Sequence, residues 1–331
     1  MKYLALVQLA AAIIKVPKFS SELRFQVIGD WGSMGFAVDY PNQKVVGASM
    51  AKLADQDNTH FIISVGDNFY GPQKNASAHG VTSPTDPKFL TDWQAVYNGT
   101  RMNQIPWYLV LGNHDWYANA VAQIQRTQID PRWNLQDFIY SRRYHVDSAI
   151  VHFLHITTDL FYFGYDGSAS SGNIKGLATA TDNNMRNNFI SLGWTEENDA
   201  INAQLDTIEW QLASAMDADY LIVVGHSDMA ACNGTLPGMQ PLQDLFDKYQ
   251  VSAYFFGHKH ALGHGVNKDT FYLLSGAGGR SEACSNPSLD FVTSPGTYGF
   301  ANVHLTSTSA SINIHDENLN VVSSAEFYPR Y

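Results

Sequence analysis

The stretch Gly66-Asp67-Asn68-Phe69-Tyr70 directly follows the apolar run Phe61 to Val65. That run has the length and β-branched content of a buried strand, so it predicts a strand that ends just before Asp67. A carboxylate followed three residues later by a phenol suits a hard, highly charged cation. Asp67 offers two oxygens that can bridge two ions, and Tyr70 becomes a good ligand once a trivalent ion displaces its proton. Taken alone, such an Asp is more often a turn or cap residue, and such a Tyr more often packs.

The same arrangement, an apolar run, a glycine and then polar groups able to bind a metal, recurs on both sides of this stretch. Upstream, Phe25 to Ile28 predicts a strand that ends at Gly29-Asp30, and Gln43 to Gln56 has apolar residues at helical spacing. Downstream, Ile105 to Leu111 predicts a strand that ends at Gly112-Asn113-His114-Asp115. A right-handed crossover makes such strands parallel and brings their carboxyl ends to one rim.

Two further predicted strands end in histidines. Tyr220 to Val224 is followed by Gly225-His226, and Val251 to Phe256 is followed by Gly257-His258-Lys259-His260. A helix around Pro241 to Tyr249 separates them. Each of these side chains is ordinary in isolation, but their occurrence at successive strand ends predicts a single metal site. The polar side chains at these five strand ends are Asp30; Asp67 with Tyr70; Asn113 with His114 and Asp115; His226; and His258 with His260.

The remaining chain predicts one α/β domain. Further strands are expected at Ile150 to Thr157, Phe271 to Ser275, Ala301 to Leu305, Ser311 to His315 and Val321 to Phe327. Helices alternate with strands early and strands dominate late, which indicates two packed sheets flanked by helices. His152 and His155 point to opposite faces of their strand and are interpreted as packing or surface residues. Tyr165 to Leu192 lacks periodicity and predicts a surface loop, and Thr195 is expected to cap the helix that follows.

Composition excludes several classes of protein. The chain has 331 residues, of which 45% are hydrophobic and 15% are charged, so it is globular rather than disordered. Its formal net charge is −11, and it contains no run of Lys or Arg. An acidic chain repels phosphate backbones unless bound cations reverse the local field, so nucleic-acid binding is not expected. We expect small phosphate esters as partners, no stable membrane span, and a monomer.

The N-terminus predicts export from the cytoplasm. A basic Lys2, a short apolar segment and then Lys15-Val16-Pro17 fit a secretory leader over residues 1–21, although an ordinary first strand or helix is the alternative. The domain then covers residues 22–331, and the protein is secreted or reaches an acidic vacuole or lysosome. Three glycosylation sequons, at Asn75, Asn98 and Asn233, agree with export. Cys232 and Cys284 can pair in an exported protein, or remain two buried thiols.

These motifs resemble those of the purple acid phosphatases, within the calcineurin-like metallophosphoesterases. The small mammalian-type, tartrate-resistant form is the most similar, and the resemblance runs from about Phe25 to Phe327. Supporting stretches outside the ligands are Ile105-Pro106-Trp107-Tyr108, Arg132-Trp133-Asn134, Val251-Ser252-Ala253-Tyr254 and Leu274-Ser275-Gly276-Ala277-Gly278. The resemblance implies a four-layer α/β sandwich of two mixed sheets flanked by helices. Most relatives begin Asp-x-His with that histidine as a ligand, whereas this chain has Gly32 there, so a ligand is missing unless Tyr70 supplies it.

The resemblance also implies which residues hold each metal and how the reaction proceeds. A ferric ion would be held by Asp30, Asp67, Tyr70 and His260, and a divalent ion (Fe²⁺, Zn²⁺ or Mn²⁺) by Asp67, Asn113, His226 and His258. A metal-bound hydroxide would attack the phosphorus of a phosphate monoester. Asn113 and His114 would contact the substrate, with His114 bonding the phosphate or protonating the leaving group. Asp115 either orients His114 or caps the turn.

One departure from the family concerns a second histidine that mammalian-type members place shortly after the residue matching His226. The stretch Ser227 to Asn233 contains no histidine, and Cys232 falls near that place. His264 is a candidate replacement, although a turn or surface role suits it better. The sequence therefore predicts an exported acid phosphatase. The alternatives are a diesterase or nucleotide pyrophosphatase that uses the same ligands, and a non-catalytic secreted glycoprotein that binds phosphate.

Overall fold

The glycine-terminated apolar runs form neighbouring strands in the structure, a computed structural model that describes residues 16–32, 40–71, 78–165, 178–229, 232, 237–284 and 287–330. The strands are β1 (Lys18–Phe19), β2 (Leu23–Ile28), β3 (Phe61–Ser64), β4 (Trp107–Leu109), β5 (Trp133–Asn134), β6 (Ile139–Val146), β7 (Ala149–Ile156), β8 (Tyr220–Val224), β9 (Ala253–Phe256), β10 (Leu262–Asn267), β11 (Thr270–Ser275), β12 (Phe291–Val292), β13 (Gly299–Leu305), β14 (Ala310–Asp316) and β15 (Val321–Phe327). The helices are α1 (Tyr40–Asp57), α2 (Asn113–Trp116), α3 (Ala120–Arg126), α4 (Asp159–Phe163), α5 (Ala178–Ser191), α6 (Ala200–Ser214) and α7 (Gln240–Lys248). A π-helical turn covers Phe89–Gln94, and a 3₁₀ turn covers Pro237–Met239.

The strands form two mixed sheets. The seven-stranded sheet has the order β15-β14-β13-β2-β3-β4-β5, with β2 to β5 parallel and β13 to β15 antiparallel. The eight-stranded sheet has the order β1-β6-β7-β8-β9-β11-β10-β12, and β7, β8, β9 and β11 run parallel within it. Helices flank both sheets, so the predicted fold class is confirmed.

The two sheets face one another across an apolar core made of strand side chains. Phe25 and Phe61 of the seven-stranded sheet meet the ring of Phe153 in the eight-stranded sheet, with ring centroids 5.5 and 5.8 Å apart. On the outer faces, α1 covers β2, where Gln26 donates a hydrogen bond to the backbone oxygen of Met50 at 3.2 Å. On the other side, Phe246 of α7 packs 5.3 Å from the ring of Tyr254 on β9. The result is a four-layer sandwich.

The prediction of a surface loop over Tyr165 to Leu192 is wrong for its second half, because Ala178–Ser191 forms α5. Met185 and Phe189, four residues apart, are buried on one face of this helix. The side chain of Asn188 donates hydrogen bonds to the backbone oxygens of Trp116 and Ala118, at 2.8 and 2.6 Å. Tertiary contacts therefore stabilise a helix whose asparagines hide its periodicity. The next helix, α6, begins at Ala200, five residues after the expected cap Thr195.

The N-terminal prediction falls partly outside the described residues. Residues 1–15 lie outside them, but Lys18 and Phe19, inside the predicted leader, form β1 and pair in parallel with β6. Cleavage after residue 21 would remove this edge strand, so the domain boundary at residue 22 stays a prediction. Of the sequon asparagines, Asn75 and Asn233 lie outside the described residues, whereas Asn98 is exposed. Within the described residues, no helix has the length and apolar character needed to cross a bilayer.

Candidate metal centre

The carboxyl ends of parallel strands from both sheets meet at one rim, and the predicted ligands lie there. In the seven-stranded sheet, Asp30 follows β2, Asp67 follows β3, and Asn113 begins α2 after β4. In the eight-stranded sheet, His226 follows β8 and His258 follows β9. Ligand atoms of Asp30, Asp67 and His226 all lie within 4.8 Å of one another. The structure thus brings together side chains that are far apart in the sequence.

Three of these residues have a left-handed backbone, which turns each side chain into the rim. The φ angle is 56° at Asp30, 50° at Asp67 and 67° at His258. A non-glycine residue in this region costs about 1–3 kcal/mol, and it persists only where its surroundings hold it. Here the Asp30 amide donates a hydrogen bond to the Gly66 oxygen at 3.0 Å, and the His258 amide donates to Asp30 Oδ2 at 2.9 Å.

The phenol of Tyr70 lies at the centre of one half of the site. Its Oη is 3.1 Å from Asp30 Oδ1, 2.7 Å from Asp67 Oδ2 and 3.2 Å from His260 Nε2, and the side chain is fully buried. The Tyr70 amide donates to the backbone oxygen of Gly32 at 2.6 Å. A Cβ atom at Gly32 would lie only 2.1 Å from the Asn68 oxygen, so this contact leaves no room for the histidine that relatives have there.

The amide of Asn113 lies in the other half of the site. Its Oδ1 is 3.3 Å from His226 Nε2 and 3.1 Å from His258 Nδ1. Its Nδ2 donates a hydrogen bond to Tyr117 Oη at 2.8 Å, which fixes the amide so that its oxygen faces the two imidazoles. Tyr117 was not among the residues identified from the sequence.

In this half of the site, atoms that can bind a metal ion but can only accept hydrogen bonds face one another. His226 Nδ1 lies 2.8 Å from the Val65 backbone oxygen, which only accepts, so Nδ1 carries a proton and Nε2 is the ring nitrogen left for a metal ion. That Nε2 faces two further acceptors, Asn113 Oδ1 and, at 3.5 Å, Asp67 Oδ1. Buried acceptors that face each other repel unless a proton or a metal ion lies between them. The nitrogen and oxygen donors present therefore fit a metal ion.

Burial and neighbouring acidic groups shift the pKa values of three residues in the site. Burial raises the pKa of Asp67 to about 7, and burial with the nearby Asp30 and Asp67 carboxylates raises the pKa of Tyr70 well above its ordinary value. Burial lowers the pKa of His260, but hydrogen bonds to Asp30 and Glu282 outweigh this effect and raise it to about 9. These groups retain protons because several acidic side chains share one dry site. A bound cation would displace such protons.

The turn before Asn113 requires a glycine because neighbouring ligands approach it closely. A Cβ atom at Gly112 would lie 2.4 Å from Asp67 Oδ1 and 2.6 Å from His226 Cε1. The sequence pattern of a glycine before the ligand thus has a steric explanation. It makes room for one ligand from the neighbouring strand and one from the other sheet.

Asp115 connects the two loops that carry the ligands. Its carboxylate accepts hydrogen bonds from the backbone amides of Gly112, Asn68 and Phe69, at 2.9, 3.1 and 3.2 Å, and from Gln123 Nε2 at 2.7 Å. Four donors thus occupy both of its oxygens. This arrangement fits the turn-capping alternative for Asp115 rather than an orienting contact with the His114 ring.

The imidazole of His114 lies beside the phenol and is held by a residue that the sequence did not single out. The His114 amide donates to Asp67 Oδ1 at 2.8 Å, and its ring centroid is 4.2 Å from that of Tyr70. Its Nδ1 lies 2.7 Å from Nδ1 of His79. His79 belongs to a segment rich in turn residues, where only an isolated histidine before Gly80 could have indicated a role.

Two charged side chains near the site, Arg280 and Glu282, were not identified from the sequence. The guanidinium of Arg280 lies 5.4 Å from the centroid of the Tyr70 ring. Glu282 Oε2 lies 3.3 Å from Nδ1 of His260, on the side of that ring away from the phenol. Both follow the stretch Leu274 to Gly278, in which the sequence offered only small and apolar residues.

Other candidates lie elsewhere. His264 is on β10, where its Nε2 is 2.8 Å from Ser323 Oγ and its ring stacks on Phe291, so its contacts are with strand residues. His155 stacks on Tyr140 with centroids 4.5 Å apart, in agreement with a packing role. Cys232 and Cys284 form a disulfide, which leaves neither as a thiol. It links the segment after His226 to the segment that carries Arg280 and Glu282.

The chain is similar in sequence to known proteins. The family model of the calcineurin-like phosphoesterases matches residues 23–262. Tartrate-resistant acid phosphatase type 5 of Oryctolagus cuniculus is 30% identical over 261 residues, which are 77% of this chain and 73% of the relative. Purple acid phosphatase 17 of Arabidopsis thaliana is 30% identical over 275 residues, which are 81% of this chain and 72% of the relative.

Solved structures show the same fold. GAP50, described as the anchor in the inner membrane complex of Plasmodium, aligns with a TM-score of 0.72 at 20% identity and covers 94% of this chain and 90% of its own. The purple acid phosphatase PPD1 of yellow lupin aligns with a TM-score of 0.62 at 16% identity, covering 95% of this chain and 55% of its own.

Proposed function

Because the chain belongs to the calcineurin-like phosphoesterases, we propose that it is a purple-type acid phosphatase that hydrolyses phosphate monoesters at a pair of metal ions. The position of Tyr70 is the observation that carries this proposal. A buried phenol within 3.2 Å of two carboxylates and an imidazole stands where the chain lacks the usual histidine. A phenolate is a far better ligand for a ferric than for a divalent ion.

The ligand assignment follows the two halves of the site. The ferric ion is assigned to Asp30, Asp67, Tyr70 and His260, and the divalent ion (Fe²⁺, Zn²⁺ or Mn²⁺) to Asp67, Asn113, His226 and His258. When bound, the pair supplies positive charge that attracts a phosphate ester to an acidic chain, and Lewis acidity that activates water at acidic pH. The chain supplies rigid orientation, since the carboxylates, phenol and imidazoles are already held in a buried, hydrogen-bonded site.

Asn113 and His114 are assigned to the substrate. The amide of Asn113 is fixed by Tyr117, so its oxygen is directed into the site. His114 is anchored through its backbone amide on Asp67, and its Nε2 lies 3.9 Å from Asp67 Oδ2. An imidazole held there is able to bond a phosphate oxygen or to transfer a proton to the leaving group. Asp115 supports both residues through the turn that precedes them.

We assign the protein to an exported or acidic compartment. The disulfide between Cys232 and Cys284 and the exposed sequon at Asn98 support this assignment, since both suit an oxidising route. Detection of a glycan on Asn98, in protein purified from its native source, would test it. A cytoplasmic protein with both cysteines reduced would contradict it.

The function is tested by assaying purified protein, reconstituted with iron and zinc, on a phosphate monoester and a phosphate diester. We expect phosphate release from the monoester, fastest below neutral pH, and its loss in Asp67→Asn. Asp269→Asn, a change at an exposed carboxylate on the β10–β11 turn, is the matched control and should remain active. Turnover of the diester alone, with manganese, would instead identify a diesterase. Tight phosphate binding without turnover would identify a non-catalytic protein.

A further inference from the structure

The backbone around His79 is held firmly against the turn that carries His114. The Gly80 amide donates to the Phe69 oxygen at 2.9 Å, and the half-buried ammonium of Lys88 donates to the backbone oxygens of Ala78 and, at 2.7 Å, Gly80. Gly80 has a φ of 63°, and a Cβ atom there would lie 2.9 Å from the Asp115 oxygen. The residues on both sides of His79 are therefore fixed, so the ring position is set by the fold.

The two imidazoles form a hydrogen-bonded pair. Nδ1 of His79 is 2.7 Å from Nδ1 of His114, and the ring centroids are 4.6 Å apart. The ring of Tyr117 lies edge-on to both, with centroids 5.8 and 5.0 Å away. Both histidines are buried. An imidazole pair this short requires a proton on one of the two facing nitrogens and a lone pair on the other.

A third contact decides which nitrogen carries the proton. The backbone amide of Gly71 donates to Nδ1 of His79 at 3.2 Å. Because a backbone N–H is always a donor, Nδ1 of His79 must present a lone pair. The proton between the rings then belongs to Nδ1 of His114. It follows that the neutral His114 has its lone pair on Nε2, which lies 3.9 Å from Asp67 Oδ2.

We propose that His79 is a positioning residue for the reaction: it accepts the Nδ1 proton of His114 and thereby fixes the tautomer and ring orientation that expose the Nε2 lone pair of His114 to the substrate. The proposal rests on the proposed phosphatase function and adds the residue that prepares His114 for it. His79 lies nine residues after Tyr70 in the sequence. Mammalian-type relatives have a second histidine shortly after the residue that matches His226. In this chain Cys232 falls near that place, and its sulfur is bonded to Cys284.

The tautomer determines how His114 can handle a proton. Hydrolysis of a monoester joins the hydroxyl group of one water to phosphorus as the bond from phosphorus to the leaving oxygen breaks, and the remaining proton of that water ends on the leaving oxygen. Because His79 holds the Nδ1 proton, the His114 ring can contribute to this transfer only through Nε2, the ring nitrogen that lies 3.9 Å from Asp67 Oδ2. The opposite tautomer would present an N–H at Nε2 instead of a lone pair.

The matched variants are His79→Asn and His79→Leu. The Asn Oδ1 can take the place of Nδ1 and accept the same hydrogen bond, whereas Leu has a similar shape and cannot accept. We expect His79→Leu to lower kcat by about 10–100-fold, with the larger loss on an alkyl phosphate, whose poor leaving group needs the proton most. The loss on an aryl phosphate should be smaller, KM should change little, and His79→Asn should recover most of the activity. His264→Leu is the control for loss of a histidine elsewhere.

The proposal is overturned if His79→Leu retains full activity, or if it lowers activity equally on both esters and His79→Asn does not recover it. A direct readout that needs no turnover is the scalar coupling between the two nitrogens across the hydrogen bond. It is measured by NMR on ¹⁵N-histidine protein reconstituted with diamagnetic zinc. We expect this coupling between His114 and His79 in the unsubstituted protein and its loss in His79→Leu. If the coupling is absent, or if Nε2 of His114 carries the proton, the proposal is wrong even where the variants fold poorly.

These measurements separate the two proposals. If the protein hydrolyses no ester, the proposed function fails, yet the nitrogen–nitrogen coupling still reports whether His79 fixes the tautomer of His114. If the protein hydrolyses monoesters and the coupling is absent, only the role of His79 fails.

Discussion

At the scale of single residues, Asp115 is not an assigned metal ligand but holds together the two loops that carry ligands. Its two carboxylate oxygens accept four hydrogen bonds and join the loop after β3 to the turn after β4. Charged acceptors that receive several backbone N–H groups contribute strongly, because removal leaves buried donors unsatisfied.

Asp115→Asn replaces one acceptor oxygen by an NH₂ group that faces donors. We expect the free energy of unfolding to fall by about 1–3 kcal/mol, measured by urea denaturation near neutral pH. Asp137→Asn, at an exposed carboxylate, is the matched control. An Asp115→Asn protein as stable as the control would refute the bridging role.

The sequence identified the ligands more completely than their supports, for a physical reason. Asp30, Asp67 and His226 each follow a glycine that ends an apolar run, and such a boundary is visible in a pattern of residue types. His79 and Tyr117 lie on turns, where no periodicity marks them. Their roles depend on hydrogen bonds between segments distant in the sequence, which only the folded backbone reveals.

At the scale of elements, the sequence predicted the central strands better than the helices and the strands at the sheet edges. The bounds of each strand that was predicted lie within two residues of the observed bounds. The strand β6 was missed because Arg142 interrupts its alternation on the face that buries Tyr140, Tyr144 and Val146. The helix α5 was missed because asparagines occupy much of its surface, and its contacts with α2 are what make it favourable.

Asn188 makes the main polar connection between α5 and α2. Asn188→Ala removes hydrogen bonds to the Trp116 and Ala118 oxygens, and we expect it to destabilise the protein by about 1–3 kcal/mol in thermal or urea unfolding. The neighbouring Asn187→Ala changes an exposed side chain on the same helix and should be nearly neutral. Equal effects of the two substitutions would show that α5 does not depend on this contact.

At the scale of the whole molecule, the site exists because two sheets end at the same rim. Each sheet alone supplies an incomplete ligand set, carboxylates and a phenol from one and imidazoles from the other. The parallel direction of the early strands and the presence of two sheets were predictable from the alternation of strand and helix, and the four-layer arrangement from the family resemblance. The left-handed backbone at Asp30, Asp67 and His258 was not, since residue type alone does not specify φ.

Buried histidines set how the whole fold responds to acid. His155 is fully buried, neither ring nitrogen has a hydrogen-bond partner among the described residues, and burial lowers its pKa to about 3. Because the folded pKa lies below the unfolded value of about 6.5, the unfolded chain binds the proton first. Stability is therefore complete above the unfolded value and is lost as pH falls from it towards the folded value.

We expect His155 to reduce stability by about 2 kcal/mol between pH 7 and pH 5. His155→Phe, which keeps an aromatic ring against Tyr140, should remove this part of the pH dependence in urea unfolding measured at both pH values. A pH dependence that is unchanged in His155→Phe would mean that His155 takes up a proton in the folded protein.

The central claim is that Tyr70 binds a ferric ion as a phenolate, and the visible absorption spectrum of the iron-loaded protein tests it most directly. Tyr70→Phe keeps the ring that packs against His114 and removes only the oxygen. We predict a violet tyrosinate-to-iron band in the unsubstituted protein and its loss in a folded Tyr70→Phe variant. A colourless iron-loaded protein, or a band that persists in Tyr70→Phe, would contradict the claim.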